Sequence, residues 1–337
     1  MKIFIPFQLK SVGGPSSFVL KFQAGMQARG HEVFFEYRPD YDILFLIVQA
    51  PFKYLFDAKK KKKPIVQRLD GVWYYSVVGW KFPLYNLKAI LIRHFFSDFS
   101  VYQSEYSKYC VGRFLGKKSP DPSAIIYNGI DLERFNPAGP KIEGLRDNKE
   151  QELFFTVSDF RREDQILPIF QALARYRKAY GTNFKFLIAG VFSGKIAHIP
   201  KKYQHFKEIV FLGKINNVDL PLYERAADVF LFTHLNPPCP NNIIEALACG
   251  LPVCGVADGA MPELITHGES GLLSAARGQA FWKKRSFDPK VFSDNLAYTM
   301  TKKRAFAQAS RQTAEKNFSL TQMIDQYLSV FESLGHK

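Results

Sequence analysis

Short runs of β-branched and aromatic residues alternate along the chain with longer stretches whose apolar residues recur every three or four positions. Alternation of this kind is the sequence form of βαβ units, because parallel strands need a crossover long enough to hold a helix. The pattern predicts strands over 2–6, 31–35, 43–48, 64–69, 98–103 and 124–127, and again over 152–157, 184–189, 209–212, 229–232, 251–255 and 271–273. Helices fill the intervals, for example 16–29, 84–96, 166–179 and 243–248. The two halves divide near 136–149, a Pro-, Gly- and charge-rich stretch that reads as a linker. Leu320, Met323, Ile324, Tyr327, Leu328 and Phe331 recur at helical spacing, so the last segment reads as an amphipathic helix. The expectation is an α/β protein of two doubly wound domains, 1–140 and 150–315, with 316–337 a helix returning to the first domain. Ligands are then expected at the carboxyl ends of the strands.

Length and composition bound this picture. At 337 residues the chain has room for two cores, and 47% apolar with 23% charged residues excludes wholesale disorder. The 46 Lys and Arg against 31 Asp and Glu leave a net charge of +15, which points to an anionic partner. No recognition helix or RNA-binding motif accompanies that charge, so nucleic acid is not the expected partner. Cys110, Cys239, Cys249 and Cys254 have neither CxxC pairing nor a companion His at metal spacing, so no disulfide framework or metal site is expected. The opening MKIFIPF is strand-like rather than a signal peptide, and no apolar run reaches spanning length; a cytoplasmic protein, peripheral at most, is expected.

Two stretches carry candidate chemistry. Gly13 and Gly14 follow the first strand and feed a helix whose amino end presents N–H groups to an anion; the same residues also suit a plain tight turn. The second stretch runs from Pro238-Cys239-Pro240-Asn241-Asn242-Ile243 through Glu245 and Ala246 to Gly250-Leu251-Pro252-Val253. A helix starting near Asn241 gives a second anion-facing terminus, and Glu245, about one turn in, is either a favourable first-turn acid or an acceptor for two sugar hydroxyls.

This second passage resembles the nucleotide-binding segment of GT-B glycosyltransferases, family 4, where Glu-x7-Glu precedes Ala-x-Ala-x-Gly-x-Pro-Val. Further stretches agree in order: Gly13-Gly14, Ile126–Asp131, Phe186–Gly190, Phe211–Gly213, Pro262–Ile265 with Gly268 to Leu273, and Phe318-Ser319. The resemblance implies a GT-B fold and a retaining enzyme that moves a sugar from a UDP- or GDP-type donor to an acceptor hydroxyl, with no essential metal and no tightly bound cofactor. It places the donor ribose on Glu245, the sugar hydroxyls on backbone amides of Cys239, Asn241, Asn242 and Ile243, and further donor contacts at Gly13, Gly14, Gly190 and Gly213. On the first domain it brings the loop containing Asp70 to the transferred sugar; Asp70 either orients donor or acceptor or is the turn acid before Gly71.

The chain departs from the family at three positions. Pro237 stands where the first motif acid belongs, and Asp159 and Asp164 stand where an Arg and a Lys would neutralise the donor diphosphate. Arg161 and Arg162 lie in the same loop and are the expected replacements, the alternative being two solvated arginines. Lys59, Lys60, Lys61, Lys62 and Lys63 form a run that reads as a solvated connection or as a contact with an anionic membrane. The first 150 residues hold 23 basic and 14 acidic residues; the resemblance places the acceptor on this first domain, and the excess together with Trp73, Tyr74, Tyr75, Trp80 and Phe82 favours a lipid-linked or anionic glycan acceptor, although such aromatics also serve as core or sugar-stacking residues. The competing function is a catalytically silent module that binds a nucleotide, a glycan or a partner transferase.

Overall fold

The computed structural model describes residues 1–9, 14–278, 281–283 and 285–335, and its chain divides into two compact units. The first unit comprises Met1–Gly129, Gln279–Lys284 and Phe318–Lys337. Its strands are β1 (Lys2–Phe4), β2 (Glu32–Phe34), β3 (Ile43–Ile47), β4 (Ile65–Leu69), β5 (Phe99–Tyr102) and β6 (Ser123–Ile125). They form one parallel sheet in the order β2-β1-β3-β4-β5-β6. Helices α1 (Gly14–Gln27), α2 (Phe52–Lys60), α3 (Tyr75–Val78), α4 (Phe82–Phe95) and α5 (Glu105–Phe114) make the crossovers. All five positions of β3 and of β4 are buried, as expected of central strands covered on both faces.

The second unit comprises Ile130–Gly278 and Arg285–Asn317. Its strands are β7 (Glu152–Phe160), β8 (Phe184–Phe192), β9 (Ile209–Gly213), β10 (Val229–Phe232), β11 (Val253–Ala257) and β12 (Gly271–Ala275). The sheet is again wholly parallel, in the order β12-β11-β10-β7-β8-β9, so the chain reverses direction across the sheet between β7 and β10. Its helices are α6 (Leu167–Tyr180), α7 (Ile199–Tyr203), α8 (Leu220–Ala226), α9 (Asn241–Ala248), α10 (Met261–Leu264), α11 (Pro289–Thr301) and α12 (Lys303–Asn317). The last helix, α13 (Leu320–Gly335), belongs to the first unit, where Tyr327 and Phe331 join Phe18, Phe22 and Phe45 in its core.

Two differences from the sequence pattern bear on the site. Strands β7 and β8 each run three residues further than their apolar runs, to Phe160 and Phe192, whose rings stack at 4.6 Å. The extension depends on Gly190: at φ +119° it pairs with Ser158, and a Cβ there would lie 1.8 Å from the Ser158 carbonyl oxygen. Asp159 is therefore a strand residue opposite Val191, and the loop begins at Arg161. The stretch read as a linker, 136–149, lies wholly within the second unit. Arg225 of α8 donates to the carbonyls of Arg134, Asn136 and Pro140 at 2.8–2.9 Å, and Arg311 of α12 donates to those of Leu132 and Phe135, fixing this polar chain by backbone hydrogen bonds.

Candidate functional site

In a doubly wound sheet the crevice opens at the carboxyl edge where strand order reverses, here at the ends of β7 and β10. The two loops that leave these strands are tied together by Gln165. Its Oε1 accepts from the backbone N–H groups of Arg161 and Arg162 at 2.7 and 3.0 Å, and its Nε2 meets His234 Nδ1 at 3.3 Å. Its carbonyl accepts from the Thr233 hydroxyl at 3.1 Å. His234 stacks on Phe232, and burial together with the nearby Arg162 guanidinium lowers its pKa to about 4, so it is neutral near pH 7. Sequence reading passed over Gln165, since a lone polar residue between two elements carries no pattern.

Both arginines of this loop are already paired. Arg162 grips Asp164 with Nε at 3.1 Å and Nη2 at 3.0 Å, and the more exposed Arg161 reaches Asp159 at 3.5 Å. The two aspartates at the family's cationic positions thus hold the two arginines expected to replace those cations. A diphosphate arriving here competes with carboxylates for the guanidiniums.

Helix α9 starts at Asn241 behind Pro240, with no side-chain cap on its first turn. The amides of Asn241 and Asn242 belong to the terminal set that an α-helix cannot satisfy internally. The Asn242 side chain donates instead to the Val157 carbonyl at 2.8 Å, bracing α9 against β7. Cys239 and Ile243 are buried on either side of this terminus, and Glu245 is 7% exposed. Among the expected donor residues, Cys239, Asn241, Asn242, Ile243 and Glu245 therefore lie together, on or beside α9. Gly213 ends β9 at φ +67°, an exposed turn, and Gly190 is accounted for by the β7–β8 pairing. Gly14 is exposed at the start of α1, and Gly13 lies outside the described residues.

Pro237 is buried, packed so closely on Gly259 that a Cβ there would come within 2.4 Å of the proline ring. The loop is held by Asp258 at the end of β11, which accepts from Asn236 N–H at 3.0 Å and Gly259 N–H at 2.9 Å and pairs with Arg285. Tight packing of proline thus takes the place of a carboxylate at this corner.

Behind α9 lies a group that the sequence did not reveal. Glu224 of α8 is 1% exposed, and the side chain that offers it a hydrogen bond is the Cys249 thiol. Burial, and next the Glu245 charge, hold its pKa well above the usual carboxylate value; the buried Cys249 thiol beside it is pushed up as well. The unfolded chain releases the Glu224 proton near its ordinary value of about 4.3 while the folded chain keeps it, so folding loses stability as pH rises above that value. Glu224→Gln, which copies the neutral acid, is expected to raise the melting temperature at pH 7, with the gain shrinking toward pH 4. Each pH unit separating the two pKa values contributes about 1.4 kcal/mol. Equal melting of both proteins at pH 7 would show that Glu224 is ionised in the fold.

In the first unit, Asp70 follows β4 and pairs with Arg68, the penultimate residue of that strand. Arg68 is 1% exposed, donates to Asn128 Oδ1 at 2.8 Å and lies 3.5 Å over the Phe18 ring. Burial pushes the Asp70 pKa up against the pull of this guanidinium. The lysine run is largely engaged: Lys59 pairs with Asp98 at 2.5 Å, Lys61 with Asp57 at 3.0 Å and Lys63 with Asp42 at 3.8 Å. Among the described residues no group of three His, Cys, Asp or Glu side chains is placed to hold a metal ion.

Residues 140–285, which contain the whole β7–β12 sheet, match the family model for glycosyl transferases group 1. The lipopolysaccharide core biosynthesis mannosyltransferase LpsB of Rhizobium meliloti is 29% identical over 231 residues, 63% of this chain and 61% of that protein. The N-acetyl-alpha-D-glucosaminyl L-malate synthase of Bacillus anthracis is 26% identical over 152 residues, 44% of this chain and 39% of that protein. The aligned region thus spans less than two thirds of these relatives' length. The crystal structure of Anabaena HepE in complex with UDP and glucose superposes with a TM-score of 0.78 at 17% identity, covering 99% of this chain and 100% of that one. The chain therefore has the two-domain α/β fold of GT-B glycosyltransferases, and its 140–285 segment is similar to the glycosyl transferases group 1 family.

Proposed function

We propose that this protein transfers a sugar from a nucleoside diphosphate donor of UDP or GDP type to a hydroxyl of a glycan or lipid-linked acceptor, with retention at the anomeric carbon. The observation that carries the reading is the clustering of the uncapped α9 terminus and the buried Glu245 at the strand-order reversal of the matched sheet. The LpsB relative and the UDP-bound structural neighbour support it. In the transfer the bond from the anomeric carbon to the β-phosphate oxygen breaks, a bond to the acceptor oxygen forms on the same face, and the acceptor proton passes to the departing phosphate oxygen. Negative charge grows on the departing diphosphate. The positive end of α9 faces such charge, and Arg161 and Arg162 answer it by releasing Asp159 and Asp164, so that no metal is required. Glu245 takes the donor ribose, and Asp70, held by Arg68, orients the transferred sugar or the acceptor hydroxyl.

The test is a donor panel: UDP, GDP, CMP and dTDP with their common sugars, followed by calorimetry and by sugar release. One nucleoside diphosphate is expected to bind, with slow release of its sugar, and Arg161→Ala/Arg162→Ala is expected to weaken binding about tenfold or more. Nucleotide binding without turnover for any donor and acceptor would support the silent module. No binding by the folded protein would remove the donor site altogether.

A further inference from the structure

Helix α4 is built with an apolar stripe on its outer face. Its inward face is Asn86, Ala89, Ile92 and Arg93, all buried. Leu84, Leu87, Leu91 and Phe95 follow the helical repeat on the opposite side, and Leu84 and Phe95 are 73% and 71% exposed. Trp80, just before the helix, is 78% exposed, and Phe56 of α2 extends the patch, packing edge-on to Phe96 at 5.3 Å. A soluble surface helix carries polar residues in these positions, so this face is made to be covered.

Charge and side-chain order identify what covers it. Between Asp70 and Asp98 the chain contains no acidic residue, while Lys81 and Lys88 flank the stripe. Leucine and phenylalanine along the centre, Trp80 and Tyr85 toward one end and lysines alongside are the arrangement of an interfacial helix lying at a bilayer surface. A cleft of about 550 Å³ opens at the carboxyl end of α4, lined by His94, Ser97, Lys117, Lys118 and Ser119. Its one carboxylate, Asp98, is occupied by Lys59 and by the Ile65 N–H. His94 Nε2 meets the Leu115 carbonyl and Ser97 Oγ donates to the Phe99 carbonyl, while Lys118 Nζ donates one proton to the Ser97 carbonyl at 2.6 Å, so the groups left for a lipid phosphate are Lys117, the other two protons of Lys118 and the Ser119 hydroxyl.

We propose that the outer face of α4, with Trp80 and Phe56, docks the first unit on an anionic phospholipid bilayer, the Lys117–Lys118 cleft receiving a headgroup phosphate. Docking here is by an interfacial face, since no described helix is long and apolar enough to cross a membrane. It centres on α4 rather than on the lysine run, three of whose members are ion-paired. It is independent of the donor site.

Flotation of the full chain with vesicles of phosphatidylcholine alone, or with phosphatidylglycerol added, tests the proposal. Binding is expected only to the anionic vesicles, with a blue shift of tryptophan emission. Leu84→Glu/Phe95→Glu is expected to weaken binding on the order of tenfold or more while melting as the wild type does. Lys81→Glu/Lys88→Glu is expected to do so more strongly at low salt than at high salt. Absence of flotation, equal binding to neutral vesicles, or full binding by Leu84→Glu/Phe95→Glu would each overturn it. So would a wild-type dimer that the same variant splits into monomers in the absence of vesicle binding, since the face would then cover a second copy.

Discussion

Asp70→Ala is expected to lower the unfolding free energy by about 3–5 kcal/mol, before any effect on catalysis is considered. The reason is Arg68. A guanidinium that is 1% exposed on a central strand has lost its hydration, and its partners are the Asp70 carboxylate, Asn128 Oδ1 and the Phe18 ring. Its Nε has no hydrogen-bond partner. Removing Asp70 leaves a buried cation without a counter-charge, which is more costly than removing the whole pair. The double variant Arg68→Met/Asp70→Ala is therefore expected to be more stable than Asp70→Ala alone, measured by urea denaturation at pH 7. A loss below about 1 kcal/mol for Asp70→Ala would mean that Arg68 draws its compensation elsewhere. Chemistry is isolated by Asp70→Glu, which keeps the counter-charge for Arg68 but moves the carboxylate by one methylene, so a fall in turnover by that variant at near wild-type stability reports orientation of substrate rather than collapse of the Arg68 network.

The frame of both sheets was legible because central strands such as Ile43–Ile47 and Val229–Phe232 are uninterrupted apolar runs, and the stretches between them hold helical periodicity. What stayed hidden depends on partners distant in sequence. Arg68 sits in a strand whose pattern cannot show that Phe18 and Asn128 cover it. Gln165 acquires meaning only when β7 and β10 become neighbours and bring Thr233 and His234 beside it. At Gly190, expected to contact the donor, the sequence could not show that the approach of Ser158 by itself requires the absence of a Cβ. The 136–149 stretch has the composition of a linker, yet two arginines from α8 and α12 fasten the chain from Leu132 to Pro140 to the second unit. Helix α4 shows the same limit: Ile92 and Leu91 are adjacent and equally apolar, and only packing decides that Ile92 is fully buried while Leu91 is not.

Glu245→Ala is expected to lower kcat/KM for the donor between about 10² and 10⁴-fold. A carboxylate accepting from two ribose hydroxyls forms two hydrogen bonds to a charged group, each contributing about 1.5–3 kcal/mol where water is excluded. At 7% exposure Glu245 is sheltered enough for such values. Alanine also empties space in a helix whose neighbours Ile243, Ile244 and Leu247 are buried, so part of any loss comes from repacking. The substrate provides the separation. Against wild type, a 2′-deoxyribose donor should bind more weakly than the ribose donor, because one hydroxyl of the pair is missing. Against Glu245→Ala the two donors should bind alike, since the acceptor for that hydroxyl has gone. A preference for ribose that survives in Glu245→Ala would place the ribose on another residue and leave Glu245 a buried acid of α9, whereas its disappearance assigns the contact through a coupling that repacking alone does not produce.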